Sequence, residues 1–189
     1  MAVGAVVQGM SPTVFTTLVE PQVRMAVWSR PAPAEVDGPD DFEAVWNGLR
    51  IASSGPAPGW LMNDILGLGD ILSAVSGGLT WRARFGTATT RVCPRFHQDA
   101  ISVRLIATYE GPGTEWAFAS DLGEDMDARR AETRGRIRTL HPGDIAILKG
   151  SAPGWECWPE FPVVLHRSPP ASRKAIRRVL TIDVLQPEG

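Results

Sequence analysis

Residues 101–120, ISVRLIATYEGPGTEWAFAS, decide the fold. Ile101, Val103, Leu105, Ala107 and Tyr109 alternate with other side chains, the period-two pattern of a strand with one buried face. Gly111, Pro112 and Gly113 break the run as a turn, and a second extended segment follows at 114–120. The rhythm spreads outward from there. LTWRARFGTATTR (79–91), PRFHQD (94–99), ETRGRIRTL (132–140), DIAILKG (144–150), FPVVLH (161–166) and RRVLTIDVL (177–185) are further short segments, set apart by turn signals such as HPGD (141–144). Many short, regularly punctuated strands predict a mainly β protein with a double-stranded β-helix (jelly-roll) core over 79–189.

Residues 1–78 have a different texture and read as a mixed or helical N-terminal extension, its helices packed on that core as one compact unit. VRMAVWSR (23–30) predicts a strand, and the following PAPAEVDGPDD breaks it. In FEAVWNGLRIA (42–52), Phe42, Val45, Trp46 and Leu49 have helical spacing, with Asp40 or Asp41 as the cap. WLMNDILGLGDILSAVS (60–76) repeats that spacing through Leu61, Ile65, Leu68 and Leu72, and Gly78 is its stop.

Composition narrows the function. The 189 residues are 43% hydrophobic and 21% charged, ordinary values for a globular chain that can bury a core. A net charge of −2 provides no basic field for nucleic acid or an anionic membrane, so neither is an expected partner. Two cysteines cannot build a disulfide framework, and no apolar run is long enough to span a bilayer. A cytoplasmic protein acting on a small-molecule substrate is the expectation. Of the 19 basic residues only Lys149 and Lys174 are lysines, so basic sites are made of rigid guanidinium forks. No nucleotide-cradling loop, G-x-S-x-G or C-x-x-C occurs.

Three histidines stand out. His97 lies two residues before Asp99, and on a strand both would face one side, the side shared with Ile101 and Val103. By chance an H-x-D arises in about one such chain in six. Its place early among the strands, with His166 at the end of another, gives it weight. Two imidazoles and a carboxylate are the facial triad of non-haem Fe(II) oxygenases, which leaves coordination positions open. Arg177 and Arg178 begin the last strand, where a guanidinium could grip the distal carboxylate of 2-oxoglutarate. Arg178 shares its parity with Leu180 and Ile182 and is favoured as the inward one. Tyr109, the single tyrosine, could hydrogen-bond the same carboxylate. Arg104, Trp116, Trp155 and Trp158 are candidate substrate contacts. Cys93 and Cys157 leave room for a different reading, a zinc site without turnover built from Cys and His ligands. His141, in H-P-G-D, reads as an exposed turn residue.

The stretches CPRFHQDAISVRLIATYEGPGTEWAFASD, GDIAILKG and VLHRSPPASRKAIRRVLTIDV, with VRMAVWSRP near the N-terminus, resemble the bacterial family catalogued as domain of unknown function 1826. More distantly, the order H-x-D, G-D-strand, His, then Arg on the last strand is similar to Fe(II)/2-oxoglutarate dioxygenases of the phytanoyl-hydroxylase type. That resemblance implies His97, Asp99 and His166 as iron ligands and Arg178 or Arg177 as the 2-oxoglutarate anchor. Such enzymes often carry Ser or Thr two residues after the anchoring arginine, where this chain has Leu180 or Val179.

Overall fold

The computed structural model describes residues 4–46, 50–88, 93–170 and 176–185. The chain runs β1 (Val6–Gly9), a 3₁₀ helix (Pro12–Val19), β2 (Met25–Trp28), β3 (Asp41–Val45), β4 (Arg50–Ser53) and α1 (Gly59–Val75). It continues through β5 (Trp81–Thr87), β6 (Val103–Glu110), β7 (Glu115–Phe118), α2 (Ala119–Leu122), α3 (Ala131–Arg134) and β8 (Arg138–Thr139). The last elements are β9 (Ile145–Lys149), β10 (Val164–Arg167) and β11 (Arg178–Val184).

The strands form two open sheets. The larger has eight strands in the order β1-β2-β9-β6-β11-β5-β3-β4, and the smaller has three, β10-β7-β8. This corrects the jelly-roll expectation. Neither sheet closes on itself, because the eight-stranded order ends at two edge strands, β1 and β4. The larger sheet has no need to roll up, because each of its faces is covered. One face packs under α1 and the 3₁₀ helix, joining Leu61, Ile65, Leu68, Leu72, Phe15 and Leu18 to Phe42, Phe85, Leu105 and Ile182. The other packs against the small sheet, where Met25, Val27, Ile106 and Leu148 meet Val164.

Residues 1–78 supply β1 to β4, so β2 pairs with β9 and β3 with β5 across the boundary drawn in the sequence. The helix expected at 42–52 is instead the hairpin strands β3 and β4, and Leu49 lies outside the described residues. Phe42 and Ala44 point into the core while Glu43 faces out, so β alternation against β5 overrides the helical spacing. The helix read from 60–76 is present as α1. It ends as expected, with the N–H of Gly78 donating to the Ser73 carbonyl at a positive φ of 86°. The segment at 94–99 makes only a single bridge, and 132–140 begins in the short α3 and is a strand only over β8, Arg138–Thr139.

Gly69 marks the tightest contact between α1 and the sheet. A Cβ there would lie 2.2 Å from Trp81 Cε2 on β5. Gly69→Ala is therefore expected to destabilise the fold by about 1–3 kcal/mol through overpacking. Urea unfolding followed by tryptophan fluorescence checks this; an unchanged midpoint would show that the helix can shift freely.

Candidate metal centre

The centre sits between the two sheets, at the end where β10 faces β6 and β11. His166 belongs to β10, whose alternation turns Val164 and His166 toward the large sheet. His97 lies in an irregular segment tied to β10 by a two-way backbone bridge. Its N–H donates to the His166 carbonyl and the His166 N–H donates to its carbonyl, both at 3.0 Å. Residues opposed in such a pair project to the same side, and the two imidazole centroids are 4.6 Å apart. Asp99 is fixed from β9's end, where the Ser151 N–H and hydroxyl both donate to its carbonyl oxygen.

One donor atom each from His97, Asp99 and His166 lies within 4.8 Å of the others. His97 Nε2 is 3.7 Å from Asp99 Oδ1, and His166 Nε2 is 3.3 Å from Asp99 Oδ2. The His97 Nδ1–H donates to the Arg95 carbonyl at 3.0 Å, which in the neutral ring leaves the Nε2 lone pair facing the carboxylate. Burial, with the nearby His97 ring and Arg104 guanidinium acting in the same direction, pushes the His166 imidazole down to about 3, so it is neutral at physiological pH. Burial also raises the Asp99 carboxyl above its ordinary range, with Arg104 opposing. Two imidazole nitrogens and one carboxylate form a set able to hold a divalent metal ion.

The set opens on a pocket of about 240 Å³ whose walls include His97, His166, Arg104, Ile106, Thr181 and Arg177. Arg177 is 8% exposed and, among the described residues, bonds neutral groups. Its Nε donates to the Pro112 carbonyl and its Nη2 to the hydroxyls of Thr114 and Thr108. Burial alone lowers it to about 10. The G-P-G-T turn is the socket for this guanidinium. Gly111, at φ +79°, lies against the Ile176 carbonyl, and a Cβ on Gly113 would meet the Leu140 carbonyl.

Arg178 is on the opposite face, reaching the Gly38 carbonyl at 3.4 Å and lying 3.6 Å from Glu110. Tyr109 is on that face too, donating to Asp64 in a cluster with Arg30, and burial raises its hydroxyl. Trp116 pairs with His166 in register but packs on Phe118. Trp155 lies under Lys149, and Trp158 is exposed beside Phe161; none of the three tryptophans lines the pocket. Cys93 is on the pocket wall and Cys157 is not, and neither joins the three-residue cluster among the described residues. His141 is an exposed turn residue whose N–H donates to Asp144.

One shared cause explains the misplaced parity. The most apolar face of β6 and β11 packs on α1, whereas the pocket lies on their mixed face, with Arg104, Ile106, Val179 and Thr181. A bend at 100–102 breaks the register between Asp99 and Val103, so His97 and Asp99 do not share the side of Val103. The sequence reading misses Asp183. Its signal is a carboxylate within the apolar strand RVLTIDV, matching Arg104 within VRLIATYE.

The chain belongs to the family described as Protein of unknown function (DUF1826), whose model matches residues 39–183. No curated protein matches it. Among solved structures it is similar to a prolyl-4-hydroxylase from Pseudomonas putida, at 12% identity and a TM-score of 0.49, covering 93% of this chain and 99% of that one. It is also similar to a full-length Neurospora crassa protein in complex with alpha-KG, at 10% identity and TM-score 0.45, covering 97% and 88%. A dioxygenase for auxin oxidation from rice matches at 14% identity and TM-score 0.38, over 68% of this chain. The match spans 45% of that dioxygenase, less than half its length. At TM-scores below 0.5 these likenesses add no weight to the case made by the side chains. No helix among the described residues is long and apolar enough to cross a membrane.

The depressed His166 has a consequence for stability. In metal-free protein the unfolded chain takes up a proton near 6.5 that the folded chain refuses until about 3. Stability from this group is thus full above 6.5 and lost as pH falls through that window. The raised Asp99 works in the opposite sense and reduces the slope. Urea midpoints are expected to fall between about pH 6.5 and about pH 4, and His166→Gln should flatten that decline. An equal decline in the variant would place the proton elsewhere.

Proposed function

We propose that this protein is an Fe(II)-dependent oxygenase that uses 2-oxoglutarate and dioxygen to oxidise a small organic substrate. The observation that carries the reading is the convergence of His97 Nε2, His166 Nε2 and an Asp99 oxygen. The donor set suits the metal. Imidazole and carboxylate ligands are those of non-haem iron, and three of them leave an octahedral ion half open. A closed structural zinc site would need a fourth ligand, and neither cysteine supplies one within the cluster among the described residues.

Arg177 supports the second half of the reading. It is a buried guanidinium whose hydrogen-bond partners among the described residues are a carbonyl and two hydroxyls, with no carboxylate to answer its charge. Buried cations of this kind are costly unless an anion completes them. Arg177 and the two histidines share the walls of one pocket, so a small dicarboxylate could meet the cation at one end and the metal at the other. The neighbouring Thr114 hydroxyl, already accepting from Arg177, fixes the fork's direction. Ile106 and Val179 give the same wall an apolar surface. Bound Fe(II) would supply the activation of dioxygen that side chains cannot provide.

Two measurements follow. Protein loaded anaerobically with Fe(II) and desalted is expected to retain about one equivalent, and His97→Ala, Asp99→Ala and His166→Ala to retain almost none. Variants that hold iron as wild type does would remove the triad. With dioxygen and candidate substrates, succinate should form from 2-oxoglutarate. Arg177→Gln should raise the 2-oxoglutarate needed for half-maximal succinate by about tenfold or more, the loss of a charged hydrogen bond, whereas Arg178→Gln should leave it unchanged. One equivalent of zinc with no succinate would favour the binding protein instead.

A further inference from the structure

Arg104 is built into the centre differently from Arg177. It stands on β6, on the face that carries the pocket, and all three nitrogens of its guanidinium are engaged. Nε and Nη2 donate to Asp183 Oδ1 and Oδ2 at 2.6 and 2.9 Å, a fork closed on a carboxylate of the neighbouring strand β11. Nη1 donates to Asp99 Oδ1 at 2.6 Å. The row continues outward, with Arg84 Nη1 at 3.5 Å from Asp183 and Arg84 Nε donating to Glu43 at 3.1 Å. Alternating charges therefore run from Asp99 to β3. Burial opposes the Arg104 charge, but Asp183 and Asp99 outweigh it and hold the guanidinium above its ordinary value.

We propose that Arg104, anchored by Asp183, is a positioning residue that keeps Asp99 a one-oxygen ligand. This rests on the metal reading above. A free carboxylate can bind a metal through either oxygen or both, and two-oxygen binding would fill a position the chemistry needs open. Here Oδ1, which also lies 3.7 Å from His97 Nε2, is held by Arg104 at 2.6 Å, and Oδ2 is the oxygen turned to His166 Nε2 at 3.3 Å and left without that donor. The Asp183 fork fixes the guanidinium's plane, so Asp99 cannot rotate without breaking a charged hydrogen bond between half-buried or buried partners. Asp183 also shares the positive charge that would otherwise fall wholly on Asp99 and weaken it as a donor. A lysine could reach one carboxylate but could not span both in one plane.

Co(II) is a suitable probe, because its visible absorption reports the ligand set and its geometry without turnover. Wild-type protein is expected to bind one Co(II). Arg104→Gln should weaken that affinity about tenfold or more and shift the absorption band as the second Asp99 oxygen displaces a water from one of the open positions. Asp183→Asn, which loosens the fork but keeps Arg104, should move the band the same way by less, and it decides the matter if Arg104→Gln does not fold. Arg104→Lys should restore affinity in part without restoring the band. Folded variants with wild-type affinity and an unchanged band overturn the role of Arg104 and leave the metal reading intact. Wild-type protein that leaves Co(II) in solution overturns both.

Discussion

Two backbone hydrogen bonds between His97 and His166 are the interaction on which the centre depends. They join a segment without regular structure to an edge of the small sheet, and they force both imidazoles to the same side. Each such bond contributes only about 1 kcal/mol to stability. Their larger effect is geometric, since with both rings projecting from one bridge their relative position is set by the backbone and not by flexible side chains. Asp99 completes the arrangement because the same segment is pinned again two residues later, to the end of β9. A ligand set positioned by main-chain bonds is preorganised before any ion arrives.

Charge is distributed over the centre unevenly. Arg104 is matched by two carboxylates, and Arg167 by Glu115 at 2.6 Å, so both are compensated where they stand. Arg177 has neutral partners among the described residues and is held by a glycine-rich turn that no larger residue could form. In the proposed reading, one cation shapes the ligand set while the other is left to meet an anion. The scarcity of lysine fits this division, because each role needs a planar fork with fixed donor directions.

Much of this is legible in the sequence, and the remainder fails for a common reason. β6 and β11 follow from period-two alternation, β9 from a short apolar run bounded by turn signals, and α1 from its apolar spacing and the stop at Gly78. His97, Asp99 and His166 stand out as a set through their residue types and order. The choice of Arg178 over Arg177, and the assignment of Tyr109, assumes that the most apolar face of a strand faces the site. In this fold that face packs on α1, and the pocket takes the mixed face between the sheets. The bulge between β6 and β11 at Arg178/Val179, opposite Tyr109, is likewise invisible to alternation. The hairpin of β3 and β4 reads as a helix because Phe42, Val45 and Trp46 fall at helical spacing, and only pairing with β5 selects the strand. The rolled core fails because closure depends on which strands pair at the edges, a property no local pattern encodes.

The most direct test is anomalous diffraction from crystals soaked anaerobically in Fe(II). A single peak is predicted within about 2.0–2.2 Å of His97 Nε2, His166 Nε2 and one Asp99 oxygen, using the range for imidazole and carboxylate ligands. A peak bound instead by Cys93 or Cys157, or a site left empty while the histidines stay apart, would contradict the convergence of these three side chains on one ion.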